Sequence, residues 1–338
     1  MNSYTYLGIT FQSNGRFTEA KNNLADKAIK AMYVMKQSIP KETDCKTFIH
    51  LFNTCIKPIL LYGSEIWGTE ILNNCTWEKT KTETAHLKFM KHLLGVNKYT
   101  ANTASRSELG EFPLIIDIKI NVIKYWSRIK DLPQDNLTKQ AYIEQNISKL
   151  QWNSSVKNIL QDTEQSVNSQ IKLTQQNIKQ IGNCIKQKYV DFWRLNMVTE
   201  KTKLRTFIKF KTDYKFEDYL SVLKPKQRTS VSRFRTSNHN LAIEKGRHVQ
   251  PKIPIEKRIC NHCSLQEIED ELHFFMVCPK YQANRRKMIS SVIFPEQIKN
   301  NLQKFIYLLK NTDTNIIKDV GDFIHNSFIT RNENPSAI

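Results

Sequence analysis

Glycine is scarce in this chain, nine in 338 residues. An all-β fold with many tight turns needs more, because left-handed turn positions fall mainly to glycine. Helix is therefore the expected state. Long apolar runs are missing too. None approaches the roughly 20 residues that span a bilayer, and the densest stretches, 58–62 and 112–123, are short or broken by charge. The opening Met1-Asn2-Ser3-Tyr4 lacks the basic-then-apolar order of a secretory signal. Cysteines number seven, and four of them (Cys45, Cys55, Cys75 and Cys184) stand alone. An odd, scattered set argues against a disulfide framework and fits a reducing cytoplasmic or nuclear compartment. There is no P-loop, GxSxG elbow, HExxH or dinucleotide fingerprint, and no Asp-Asp pair. No catalytic residue and no small-molecule substrate is expected.

Acidic residues are the minority, 32 against 51 Lys plus Arg, giving a net charge of +19. Such an excess points to a polyanionic partner, either nucleic acid or an anionic membrane face. Nucleic acid is the expectation, with no membrane role. The chain is otherwise ordinary: 25% charged and 40% hydrophobic, enough for a core.

The pattern predicts a mainly α protein with a short N-terminal β-hairpin. Tyr4, Tyr6 and 9–11 are strand formers, and Ser13-Asn14-Gly15 supplies a hairpin-type turn. A helix follows from Thr18, with Leu24, Ala28, Ala31, Met35 and Ile39 as its apolar stripe; Lys21, Lys27, Lys30 and Lys36 lie off it. A second helix from Thr43 or Asp44 is expected to bury Phe48, Phe52, Cys55 and Ile59, with Pro58 kinking or splitting it. A third runs from about Trp77 to Leu94 and stops at Gly95, and a fourth follows Pro113. Four parts result: 1–15, a helical bundle over 16–132, a polar helical connector over 133–205, and a small basic α domain over 206–338. In the connector, Ile147, Leu150, Ile159, Leu160, Ile171, Ile178, Ile181 and Ile185 are thinly spaced.

The sharpest signal is Cys260-x2-Cys263-x9-His273-x4-Cys278, inside 260–278. Zinc takes four N or S ligands in a tetrahedron, and two thiolates three residues apart supply one edge. His273 and Cys278 supply the other if the helix carrying His273 ends near Pro279. His262 is the rival imidazole, less well placed between the two cysteines. Four protein ligands make a closed, structural site with no open position for catalysis. The acidic run Glu267, Glu269, Asp270 and Glu271 within it reads as a solvated helix N-terminus.

The second signal is local charge. Residues 224–258 hold ten basic residues against two acidic, a local excess of eight. Arg228, Arg233, Arg235, His239, Lys245 and Arg247 here, with Arg285 and Arg286 beyond the cysteines, are candidate phosphate contacts.

Tyr6-Leu7-Gly8-Ile9, then Phe17, resembles the segment that follows the palm in reverse transcriptases of non-LTR (LINE-like) retrotransposons. The similarity continues through Lys57-Pro58-Ile59-Leu60-Leu61-Tyr62-Gly63-Ser64-Glu65-Ile66-Trp67, Leu94-Gly95 and Glu108-Leu109-Gly110-Glu111-Phe112-Pro113-Leu114. Near the C-terminus it includes Arg233-Phe234-Arg235, His239-Asn240-Leu241, Ile243-Glu244-Lys245-Gly246-Arg247 and the Cys/Cys/His/Cys motif, while 133–205 matches poorly. The resemblance implies a thumb followed by a zinc knuckle, binding RNA or DNA as template–primer or target. It also implies that Lys21, Lys27 and Lys30 face the duplex. The family's polymerase chemistry uses palm aspartates that hold magnesium, in an Ala-Asp-Asp-type motif before the Tyr-Leu-Gly segment. No such motif stands in this sequence, so this chain alone is expected not to polymerise, and magnesium enters only through a palm. The competing readings are a restriction-like endonuclease after the knuckle and a domesticated interaction scaffold.

Overall fold

The computed structural model describes residues 3–40, 42–72, 77–148, 151–163, 173–199 and 203–332. Cys75, Leu150 and Ile171 lie outside them. The chain is mainly helical, with one antiparallel hairpin of strands Ser3–Tyr6 and Ile9–Gln12. Among the described residues no helix is long and apolar enough to cross a membrane.

The hairpin turns at Leu7 and Gly8, both at positive φ (47° and 83°), pairing Tyr6 with Ile9 and Ser3 with Gln12. Two left-handed central residues are what a two-residue hairpin of type I′ requires. Leucine adopts that conformation rarely, so the sequence pointed instead to Ser13-Asn14-Gly15. That segment makes the next turn, closed by the Gly15 N–H donating to the Gln12 carbonyl at 3.0 Å.

Helix Thr18–Ser38 buries Ala20, Leu24, Ala28 and Met32, one row at i+4 spacing, together with Lys21 and Ala25. The expected stripe holds at Leu24 and Ala28 but not beyond, where Ala31, Met35 and Ile39 are only half-buried. The second helix begins at Cys45 and widens into a π turn, Phe52–Ile56, just before Pro58. A π turn carries one residue more than an α turn, so the apolar phase slips. Phe52, Ile56 and Leu60 point inward, whereas Cys55 is exposed and Phe48 and Ile59 are half-buried. Helix Lys81–Leu94 ends at Gly95 (φ 66°), and helix Leu114–Asp131 follows Pro113, both as expected.

By internal packing the chain divides into two units. The first comprises Met1–Pro40, Thr47–Phe89 and Phe112–Arg194; the second comprises Lys41–Lys46, Met90–Glu111 and Leu195–Ile338. In the first unit Phe52 stacks on Phe89 with centroids 4.0 Å apart, and Glu83 accepts the Leu114 N–H at 2.8 Å, supplying a cap to helix Leu114–Asp131. Much of 133–205 packs here. Helix Gln151–Asp162 buries Val156, Ile159 and Leu160, and Ile181, Ile185, Tyr189 and Trp193 recur every four residues as a buried row on helix Gln175–Thr199. Two of those four are aromatic, which isoleucine spacing alone did not reveal.

The second unit has an aromatic core of Phe234, Phe274, Phe275, Phe305 and Phe323. Phe275 lies 4.9 Å from Phe323 and 5.2 Å from Phe305.

Candidate metal centre

The second unit gathers Cys260, Cys263, His273 and Cys278. One donor atom from each lies within 4.8 Å of every other. The Cys260 and Cys278 sulfurs are 4.0 Å apart, and Cys263 Sγ is 3.4 Å from His273 Nε2. Zinc–sulfur bonds of about 2.3 Å and zinc–nitrogen bonds of about 2.0–2.1 Å put tetrahedral ligand atoms roughly 3.5–3.8 Å apart. A disulfide needs about 2.05 Å between sulfurs. The cluster thus has the spacing of a metal site, and a metal ion such as zinc suits its sulfur and nitrogen donors.

Local structure explains the gathering. Ile259 and Ile268 form an antiparallel bridge, and the Cys260 N–H donates to the Glu267 carbonyl at 2.8 Å, folding 260–267 into a loop that brings Cys263 back. His273 opens a π turn, His273–Val277, whose closing bond runs from the Cys278 N–H to the His273 carbonyl at 2.7 Å. The wide turn is what brings two residues five apart into one donor cluster. Gly246 clears the space beneath: a Cβ there would meet Arg258 Nε at 2.7 Å. Arg258 lies against Gly246 of helix Ala242–His248 and donates to the Ile243 and Ile253 carbonyls.

Outer contacts orient the ligands. His273 Nδ1 is 3.0 Å from Glu267 Oε2, which turns Nε2 toward the sulfurs, the usual carboxylate–histidine–metal arrangement. Asp270 Oδ1 accepts the His273 N–H at 2.8 Å. Arg285, 8% exposed, donates to the carbonyls of Phe274, Phe275 and Cys278 and clamps the π turn from behind. His262 stands apart, its Nδ1 3.3 Å from Lys280 Nζ. Cys45 is buried, Cys55 exposed and Cys184 half-buried, each away from the cluster.

Two of the donors, Cys260 and His273, hold their protons tightly without metal. Its hydrogen bond to Cys278, then burial, push the Cys260 thiol up to about 12. Burial pulls His273 down, but hydrogen bonds to Cys260 and Glu267 outweigh it and raise the imidazole to about 9. Cys278 is lowered, chiefly by the hydrogen bond from Cys260. A metal must displace the protons on His273 and Cys260. Those two protons alone are expected to make apparent metal affinity rise at least about a hundredfold per pH unit between about pH 6 and 8, and any further thiol proton displaced steepens the slope. Competitive titration against a chromogenic chelator reads this, and a flat profile would remove these two residues from the ligand set.

The acidic run sits at a helix start as expected, with Glu267 exposed and Asp270 capping the turn, but its other two carboxylates are not solvated. Glu269 and Glu271 are each 1% exposed. Glu269 pairs with Arg331, and Glu271 pairs with Arg205 at 2.7 Å and His239 at 3.1 Å. Burial would push the Glu271 carboxyl up, yet His239 and Arg205 hold it down at about 2. Carboxylates alternating with apolar residues beside a ligand were the signal for this outer shell.

The cationic candidates divide. Arg233, Lys245, Arg286, Lys27 and Lys30 are exposed, and Arg228 and Arg247 are half-buried. Four turn inward and are unfit for phosphate contact. Arg235 forks onto Glu108 and Glu217, His239 is held by Glu271, Arg285 serves the π turn, and Lys21 pairs with Glu70 at 2.9 Å in the first unit. Charge count alone cannot separate an arginine with buried acidic partners from one facing solvent.

Comparison of the chain with protein-family models, curated proteins and solved structures finds no match.

Proposed function

We propose that the chain is the nucleic-acid-binding, thumb-plus-knuckle part of a retrotransposon-type RNA-directed DNA polymerase, with structural zinc at Cys260, Cys263, His273 and Cys278. The observation that carries this reading is the gathered Cys3His donor set within a strongly basic region. Four protein donors leave no place for a substrate, so the metal's role is to hold the loop and the π turn in register. The ordered motifs from Tyr6-Leu7-Gly8 to Cys278-Pro279 support the family reading. RNA or DNA backbone is the ligand, and Arg233, Lys245, Arg286 and Lys287, all exposed, are the phosphate contacts in this unit.

About four neutralised phosphates predict an affinity loss of roughly a hundredfold between about 50 and 200 mM salt, through counterion release. Fluorescence anisotropy with labelled RNA and DNA, alongside metal analysis of the purified chain, tests both halves. Salt-independent binding, or zinc well below one per chain, would overturn the reading.

A further inference from the structure

Besides the metal centre, the second unit carries a cavity of about 530 Å³ that the knuckle reading leaves unexplained. Arg233, Asn238, Asn240 and His325 form its polar side, and Phe328 and Ile329 its apolar side. Its volume falls in the range of small-ligand sites, which pair apolar walls with a few placed polar groups. No carboxylate lines it among the described residues.

The polar groups have bonding capacity left over. Arg233 donates Nε to the Gly95 carbonyl at 2.7 Å, so its stem is fixed, and neither Nη has a partner among the described residues. Asn238 Oδ1 accepts the Asn97 N–H at 3.0 Å, which fixes the amide and leaves its NH2 to donate. His325 Nδ1 faces Ser230 Oγ at 3.0 Å, leaving Nε2. His239, with its side chain 1% exposed, directs Nε2 to Glu271 while Nδ1 is buried with no hydrogen-bond partner. Phe328 stacks on Phe274 at 4.7 Å, so the apolar wall is rigid.

We infer that this cavity takes one unstacked nucleotide of a single strand. The base lies against Phe328 and Ile329 with its edge toward the asparagine amides, and its phosphate sits in the Arg233 fork. The complementarity is chemical. An amide matches a base edge with one donor and one acceptor, a guanidinium fork matches a phosphate, and base recognition in proteins commonly uses bases splayed out of the stack. The exposed cations of this unit, Arg233, Lys245 and Arg286 among them, favour a polyanion over an acidic metabolite alone. The inference rests on the nucleic-acid reading above.

The test compares a short single-stranded RNA with an abasic sugar–phosphate oligomer of equal length, using the full zinc-loaded chain. The wild type is expected to bind the base-bearing strand about tenfold more tightly. Ile329→Trp, which fills the cavity from an exposed position, is expected to erase that difference. Arg233→Gln, a surface change that needs no repacking, is expected to weaken both strands, and the base-bearing one more. Equal binding of both oligomers by the wild type overturns the cavity proposal and leaves nucleic-acid binding standing. Discrimination that survives Ile329→Trp in a folded variant places base reading elsewhere and overturns it too. Binding of neither oligomer removes the nucleic-acid reading and this inference with it.

Discussion

Stripping the metal with a chelator, or changing Cys260 and Cys263 together to Ser, is expected to abolish amide-exchange protection across residues 258–288. The magnitude follows from what the site holds together. Structural zinc contributes about 10–16 kcal/mol to the folding of small sites at neutral pH, whereas a domain's whole stability is about 5–15 kcal/mol. Without metal, the Cys260 thiol and the His273 imidazole, which prefer to keep their protons, are confined in a buried pocket, with Cys278 fully buried and Cys260 at 2% exposure. The Ile259–Ile268 bridge, the π-turn hydrogen bonds and the Arg285 clamp are then left to resist opening. The damage spreads because the π turn carries core residues. Phe274 and Phe275 follow His273 directly and pack on Phe234, Phe305 and Phe323. Hydrogen exchange read by mass spectrometry, with and without zinc, gives the answer. Unchanged protection in a metal-free chain would show that the cluster is an ordinary group of buried thiols.

The four metal donors were legible because their chemistry is encoded in residue identity and spacing. Cysteine pairs three apart fold back on themselves locally, and the His-to-Cys interval of five corresponds to one wide helical turn. The helices were legible from the same short-range logic, down to the stop at Gly95. What the sequence hid depends on residues far apart. Nothing near Arg235 announces that Glu108 lies 2.9 Å from its guanidinium, because the two are separated by more than a hundred positions. The slip from Cys55 to Ile56 arises from a single extra residue in a π turn that Pro58 only hints at. The same holds for the cavity beside Phe328, whose walls come from two separate helices and the loop after one of them. Local periodicity reports which residues turn inward, and it is silent about what they meet there.

Arg235→Met is expected to destabilise the second unit by about 3–5 kcal/mol, the cost of breaking a buried ion pair by removing one partner. Arg235 is 3% exposed and Glu108 is fully buried. The guanidinium donates to both Glu108 oxygens at 2.9 Å, to Glu217 at 2.8 Å and to the Leu309 carbonyl at 2.7 Å. It also lies 4.6 Å from the Phe210 ring centroid. Burial alone would lower the arginine's proton affinity, but the two carboxylates reverse that and raise it. Deleting the guanidinium leaves Glu108 without its paired cation, with the nearby Lys211, itself paired to Glu217, and the Tyr219 hydrogen bond at 2.6 Å left to offset its charge. Lysine cannot restore the fork, since an ammonium does not present paired N–H groups in a plane. Adding Glu108→Leu to Arg235→Met is expected to recover part of the loss, because the orphaned charge is then gone. Urea unfolding of the single and double variants measures this coupling. The neighbouring Arg233→Gln supplies the contrast: it should change stability by less than about 0.5 kcal/mol, as exposed substitutions generally do, while weakening nucleic-acid binding. If Arg235→Met instead leaves the midpoint unchanged and reduces affinity for RNA or DNA, Arg235 is a phosphate contact after all, and the buried pair with Glu108 carries no structural weight.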